Sequence, residues 1–185
     1  MIEAFLSTFL IIGALELADK TRIVALVLTT RFNAPLQIFF GMTLAYAIVD
    51  GVAILFANAI ATLLPLQILR HVVGILFIIF GVITLFVKFK EEEERKIGKG
   101  LPFTIAFLAS LSEFGDKTQI ATGLLAIKYK LPLLVFLGTM SSLAVLNIIY
   151  IFLGKKLVKI IPFNKVKKIS AIVFILFGAA SIFLQ

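Results

Sequence analysis

Glu16-Leu17-Ala18-Asp19-Lys20-Thr21 returns as Glu113-Phe114-Gly115-Asp116-Lys117-Thr118, an offset of 97 residues. Each copy sets two acids, a lysine and a hydroxyl inside an otherwise apolar run. Charged side chains are costly to insert in such a run, and where they occur they point to an ion or substrate path. The same offset, without a gap, aligns the two halves of the chain. Pro35, Gly41, Pro65 and Gly81 fall on Pro132, Gly138, Pro162 and Gly178; Arg31-Phe32 falls on Lys128-Tyr129, and Asp50 on Asn147. Chance similarity aligns leucines, but not prolines, glycines and charges together.

The chain around this pair is 61% hydrophobic over 185 residues, with a mean hydropathy of +1.13. That is more apolar surface than a soluble core of this size hides. Apolar segments fall at about 2–30, 36–63, 66–87, 102–127, 131–154 and 164–184, each long enough to cross a hydrocarbon layer of about 30 Å at 1.5 Å per residue. The prolines at 35, 65, 102, 132 and 162 lie at the junctions, where a missing backbone N–H suits a turn or a first helical turn. The expected fold class is an all-α integral membrane protein with six transmembrane helices. The first segment exceeds a perpendicular span, so it is tilted or interrupted between Gly13 and Thr21. Met1-Ile2-Glu3-Ala4-Phe5-Leu6 has no basic n-region and runs into that helix, so it reads as a retained span and not as a cleaved signal peptide.

Three spans per half is an odd number, so the second half enters the membrane the opposite way round. Residues 1–87 then form one three-helix repeat, 88–101 a charged cytoplasmic linker, and 102–185 a second, inverted repeat. Many secondary transporters share this plan, with the site near the midplane where the repeats meet. The linker, Lys88 to Gly100, carries Glu91 to Glu94 and reads as a solvated loop in preference to a metal sensor. Twelve basic residues follow spans one, three and five, from Arg31 through Lys168, against Arg70, Lys128 and Lys130 on the other side. This bias places the odd loops in the cytoplasm and both termini outside. It also explains the net charge of +8 without nucleic acid.

Residues three and four apart share a helical face. Glu16, Asp19 and Lys20 would form one polar stripe, and Glu113, Asp116 and Lys117 its partner, converging four carboxylates on one small volume. Four such groups cannot all stay ionised without positive charge. Lys20 and Lys117 bring the formal charge from −4 to −2, which one divalent cation or two protons would neutralise. That equivalence is a physical basis for exchange, since metal binding then releases protons. Carboxylates with the hydroxyls of Thr21 and Thr118, and with Gln119, are hard oxygen donors for Ca²⁺, Mn²⁺ or Mg²⁺. With no cysteine and only the peripheral His71, a soft site for Zn²⁺ or Cu⁺ is disfavoured. Asp50 and Asn147 either complete the shell, relay protons, or hydrogen-bond helix to helix. Arg22 and Gln119 break the symmetry after the motif, and Gly41/Ala45 and Gly138/Ser142 read as close-packing sites. A structural pairing of Glu16 with Lys20 and of Glu113 with Lys117 brings a few tenths of a kcal/mol, against a cost of about 3 kcal/mol per inserted charge.

The doubled Glu-x-Gly-Asp-Lys-Thr pattern, one copy in each three-helix half, resembles the signature of the calcium/manganese transporters that include bacterial manganese exporters and eukaryotic Golgi cation/proton antiporters. The resemblance covers essentially the whole chain. It implies a metal site from Glu16, Asp19, Glu113 and Asp116, and export of Mn²⁺, or second Ca²⁺, from the cytoplasm against protons; the sequence itself leaves Na⁺ open as the counter-ion. The ion is then substrate, with no resident cofactor and no enzymatic reaction. The first copy departs from the pattern at Ala18, where alanine makes local unwinding less favourable than at Gly115. The short form suggests a prokaryotic plasma membrane and leaves a homo-oligomer open. The alternative is an exporter of amino acids or other small solutes with the same duplicated plan, which needs a larger cavity and a counter-charge for a carboxylate. A non-transporting assembly factor or passive channel would show no proton coupling.

Overall fold

The computed structural model describes residues 1–17, 25, 28–29, 31–63, 65–86, 100–112, 115–160 and 163–183. Among them are seven helices and no strand: α1 (Ile2–Leu17), α2 (Pro35–Ala61), α3 (Leu66–Phe86), α4 (Pro102–Leu111), α5 (Lys117–Tyr129), α6 (Pro132–Ile160) and α7 (Phe163–Phe183). Ala25, Leu28, Thr29, Arg31 and Phe32 are helical as well. Two stretches, Pro35–Ala61 and Pro132–Leu153, are long and apolar enough to cross a membrane, each with a mean hydropathy of 2.0. The outer faces are apolar too, with Leu55 and Phe56 on α2 exposed by 71% and 69%. An unbroken surface of that kind is unfavourable in water and suits lipid.

Proline and left-handed residues set the helix boundaries. Pro35, Pro102 and Pro132 open α2, α4 and α6, where the absent N–H costs nothing. Asn33 (φ 48°) and Lys130 (φ 53°) are the non-glycine residues with positive φ among those described, and they stand 97 positions apart, each two residues before a proline. Each donates its N–H back four residues, to Thr29 and to Ala126, closing the preceding helix in the left-handed manner.

The fourth apolar segment, 102–127, holds two helices, because the chain leaves the helical path between Leu111 and Lys117, around the Gly115 where unwinding was the more favourable. One expectation is corrected here. The basic run after the fifth segment is largely helical: α6 continues through Lys155, Lys156 and Lys159 to Ile160, and α7 begins at Phe163, before Lys165. Lysine is a good helix former, and its long stem lets a helix project past an apolar layer.

Helices approach closely where glycine stands. A Cβ at Gly41 would lie 2.5 Å from the Phe103 carbonyl oxygen, joining α2 to α4, and one at Gly138 would lie 2.8 Å from the Phe5 carbonyl oxygen, joining α6 to α1. Both are the small residues expected to pack. The α3–α7 crossing is reciprocal: Gly178 sits 2.6 Å from the Gly74 carbonyl oxygen, and Gly81 sits 2.9 Å from that of Ala171, again measured from an added Cβ. Phe77 and Phe177 meet edge to face across this crossing at 5.0 Å, a favoured aromatic geometry. Helix α2 also packs on α5 and α6, so that Ile12, Leu28, Ile38, Met42, Leu125 and Leu143 share one buried core.

Candidate functional site

The first copy of the motif begins in the last turn of α1. Ile11, Ile12 and Leu15 bury one face of that helix, and Glu16 goes under with them at 4% exposure. The hydroxyl of Tyr150 on α6 donates to the Leu17 carbonyl oxygen at 3.0 Å, tying the last described turn of α1 to α6. Asp19, Lys20, Thr21 and Arg22 lie outside the described residues, as does Glu113.

The second copy spans the break between α4 and α5. Ser112 closes α4, its N–H returning to the Leu108 oxygen and its hydroxyl to the Ala109 oxygen at 2.7 Å. Gly115 takes φ +89°, a conformation that glycine adopts freely and that a Cβ opposes. Asp116 is then the N-cap of α5 in an extended conformation. It forms a capping box with Gln119: the Asp116 carboxylate accepts the Gln119 backbone N–H, and the Gln119 amide oxygen accepts that of Asp116 at 2.9 Å. The same oxygen also accepts the Gly115 N–H.

This geometry changes one expectation. Asp116 and Lys117 do not continue a helical stripe from α4, because Asp116 caps a helix and Lys117 is its first residue. Gln119, a possible further oxygen ligand by sequence, here accepts two backbone N–H groups at its carbonyl oxygen.

Thr118, in the first turn of α5 and 4% exposed, donates its hydroxyl to Glu16 Oε1 across 102 positions of sequence. The two copies therefore meet. Glu16 lies against the first turn of α5, where the positive end of the helix dipole favours an anion. Asp50 on α2 and Asn147 on α6 are 1% and 0% exposed on helices that pack together. Among the described residues no three His, Cys, Asp or Glu side chains gather; two of the four expected carboxylates, Asp19 and Glu113, are not in that set.

Sequence reasoning missed two sets of residues. Tyr150 gave no signal, since its counterpart at the repeat offset is Ala53. Thr122 and Thr139 are fully buried, with their hydroxyl oxygens 3.4 Å apart between α5 and α6; Thr122 follows Thr118 by four residues, the spacing that could have pointed to it. At the far end of α5, Lys128 stacks its ammonium over the Phe177 ring at 3.8 Å. Burial lowers the Lys128 pKa from its ordinary value, with Glu3 opposing. Burial raises that of Tyr129.

The family of the divalent cation/proton antiporter GDT1 matches residues 4–92 and 102–184, a range that takes in both motif copies. The chain belongs to this family. It is 29% identical over 170 residues to a Vibrio cholerae protein named "Putative manganese exporter", covering 91% of this chain and 84% of that one. It is 27% identical over 234 residues to a GDT1-like protein of Schizosaccharomyces pombe, covering 96% and 88%. No solved structure matches it. Membership in an antiporter family makes the chain a membrane ion transporter by class, not an enzyme, with a divalent cation and protons as its partners.

Proposed function

We propose that this antiporter-family member exports a divalent cation from the cytoplasm, Mn²⁺ first and Ca²⁺ second, in exchange for protons. The cation site is Glu16, Asp19, Glu113 and Asp116, with Thr21 and Thr118 as further oxygen donors. The chain crosses the membrane six times as two inverted three-helix repeats, 1–87 and 102–185, joined by a cytoplasmic linker, with both termini outside.

The observation that carries this reading is the hydrogen bond from Thr118 to Glu16, which joins the first motif to the second. Inversion is supported by the reciprocal α3–α7 contacts and by the paired left-handed residues Asn33 and Lys130. The name of the Vibrio relative supports Mn²⁺ as the first choice. A broken fourth span is supported by Gly115 and the capping box. Discontinuous helices that expose backbone ends at mid-membrane are a usual way of building a transporter ion site.

Glu16 is the switch in this scheme. Ionised, it offers oxygen to a cation together with the Thr118 hydroxyl. Protonated, it loses that attraction and the cation leaves. Lys20 and Lys117 hold the net charge near −2, so that one divalent ion or two protons complete the balance. The site then alternates between two neutral loads, which is the condition for exchange.

The test is Mn²⁺ uptake into proteoliposomes under an imposed pH gradient. Uptake should follow the gradient, be competed by Ca²⁺ but not by lysine or arginine, and fall at least about a hundredfold in Glu16→Gln. Mn²⁺ movement that ignores the gradient removes antiport, and movement unchanged in Glu16→Gln removes the site.

A further inference from the structure

Matching the halves at the 97-residue offset brings out one line of hydroxyls whose counterparts in the other repeat are apolar. On the way from the Glu16–Thr118 contact to the face carrying the α1 N-terminus stand Thr122, Thr139, Thr8 and Tyr129. Their counterparts are Ala25, Met42, Ile105 and Phe32. Four hydroxyls thus face four apolar groups at matched positions, although the glycines and prolines around them are shared.

The hydroxyls are placed to act in sequence. Thr118 and Thr122 lie one turn apart on α5, about 6 Å along its axis, and both are buried. Thr122 meets Thr139 of α6 at 3.4 Å, and neither hydroxyl is turned back onto a carbonyl of its own helix. Thr29, by contrast, donates to the Ala25 carbonyl at 2.7 Å, the usual resting place of a threonine in an apolar helix. The Thr8 side chain rests on Gly138, next to Thr139; it is fully buried, and its hydroxyl has no hydrogen-bond partner. Tyr129, half-buried, lies beyond it. A hydroxyl carries one donor and two acceptor sites, so Thr8, Thr122 and Thr139 all have unused capacity. Burying such capacity without a partner is unfavourable.

We infer that Thr122, Thr139 and Thr8 form a hydroxyl-lined passage that solvates a partly dehydrated divalent cation between the carboxylate site and the face bearing the α1 N-terminus. This rests on the transport reading above and adds a path to it. Hydroxyl oxygens are hard donors without charge, so they lower the cost of passage without holding the ion.

The test compares wild type, Glu16→Gln, Thr122→Val, Thr139→Val and Thr122→Ser as full chains in proteoliposomes under a pH gradient, with Mn²⁺ as the probe. Equilibrium Mn²⁺ binding and thermal unfolding are followed in detergent. Valine keeps the volume and removes the hydroxyl. Each valine variant should lower the maximal uptake rate about tenfold while binding affinity and unfolding midpoint stay at wild-type values, and Thr122→Ser should restore the rate. Wild-type rates in both valine variants overturn the passage, as does a loss that serine fails to restore. If wild type binds Mn²⁺ no better and moves it no faster than Glu16→Gln, the transport reading itself falls and the passage falls with it.

Discussion

The two motif copies share four polar residues and differ in what braces them. The first begins in α1, where the Leu17 carbonyl is held from outside, by Tyr150 of α6. The second is held from within, by Gly115, Asp116 and Gln119. At the offset these three correspond to Ala18, Asp19 and Arg22, and an arginine has no acceptor with which to close a capping box. The repeat therefore preserves the groups suited to a cation and varies the supports beneath them. Duplicated sites can keep their charge count while the side chains that brace them change.

The sharpest test of what the halves share is the α3–α7 crossing. Gly178→Ala would push a methyl into the Gly74 carbonyl oxygen and the Ile78 backbone nitrogen, at 2.6 and 2.9 Å; Gly81→Ala would meet the Ala171 carbonyl oxygen and the Ile175 side chain and nitrogen. Backbone atoms yield little, so each substitution should cost about 3 kcal/mol, the upper range for overpacking. Thermal unfolding in detergent should show two similar losses. A large loss in one variant beside none in the other would break the reciprocity of this contact.

The next effect tests what the halves do not share. Gly115 has no neighbour within 4 Å of an added Cβ, so Gly115→Ala carries only the backbone cost of φ +89°. That cost is about 1–2 kcal/mol, and Mn²⁺ uptake should fall by about tenfold because the N-cap acid follows directly. Ala18→Gly, the exchange in the opposite direction, should leave uptake within about twofold of wild type. Equal responses to the two changes would mean that the copies share one backbone solution.

The sequence carried the helical class, the proline-marked boundaries and the link between the motifs, because hydropathy, proline and a polar repeat each act over short range. It did not carry the break at Gly115 as a certainty, since a glycine inside an apolar run serves equally as a packing site, as Gly41 and Gly138 do. The role of Gln119 at the turn was not legible either, because an amide oxygen is an amide oxygen in sequence; its bonds to the Gly115 and Asp116 N–H groups depend on the turn at Gly115. Lys155 to Lys159 looked like loop because charge ended the apolar run, yet a helix needs no apolar side chains to continue.

Gln119 also gives the third prediction. Gln119→Arg makes the second copy resemble the first and removes the acceptor for the Gly115 and Asp116 N–H groups, whereas Gln119→Glu keeps an acceptor at the same distance. The arginine variant should lose about 1 kcal/mol of stability, the usual worth of a cap, and the glutamate variant less than half of that. An arginine variant as stable as wild type would show that the capping box contributes nothing at the helix break.

The smallest effect concerns the brace on the first copy. Tyr150 is 1% exposed, and its ring is part of the α6 packing whether or not a hydroxyl is present. Tyr150→Phe therefore removes the bond to the Leu17 carbonyl while leaving the volume intact, a loss of about 1 kcal/mol for one neutral hydrogen bond. The carbonyl belongs to the residue after Glu16, so what loosens is the orientation of the carboxylate and not its charge. Mn²⁺ affinity should weaken about threefold with the pH dependence of uptake unchanged, because the titrating groups are the same. A shifted pH profile would instead place the Tyr150 hydroxyl in the proton path, and the difference between the copies would become one of chemistry as well as support.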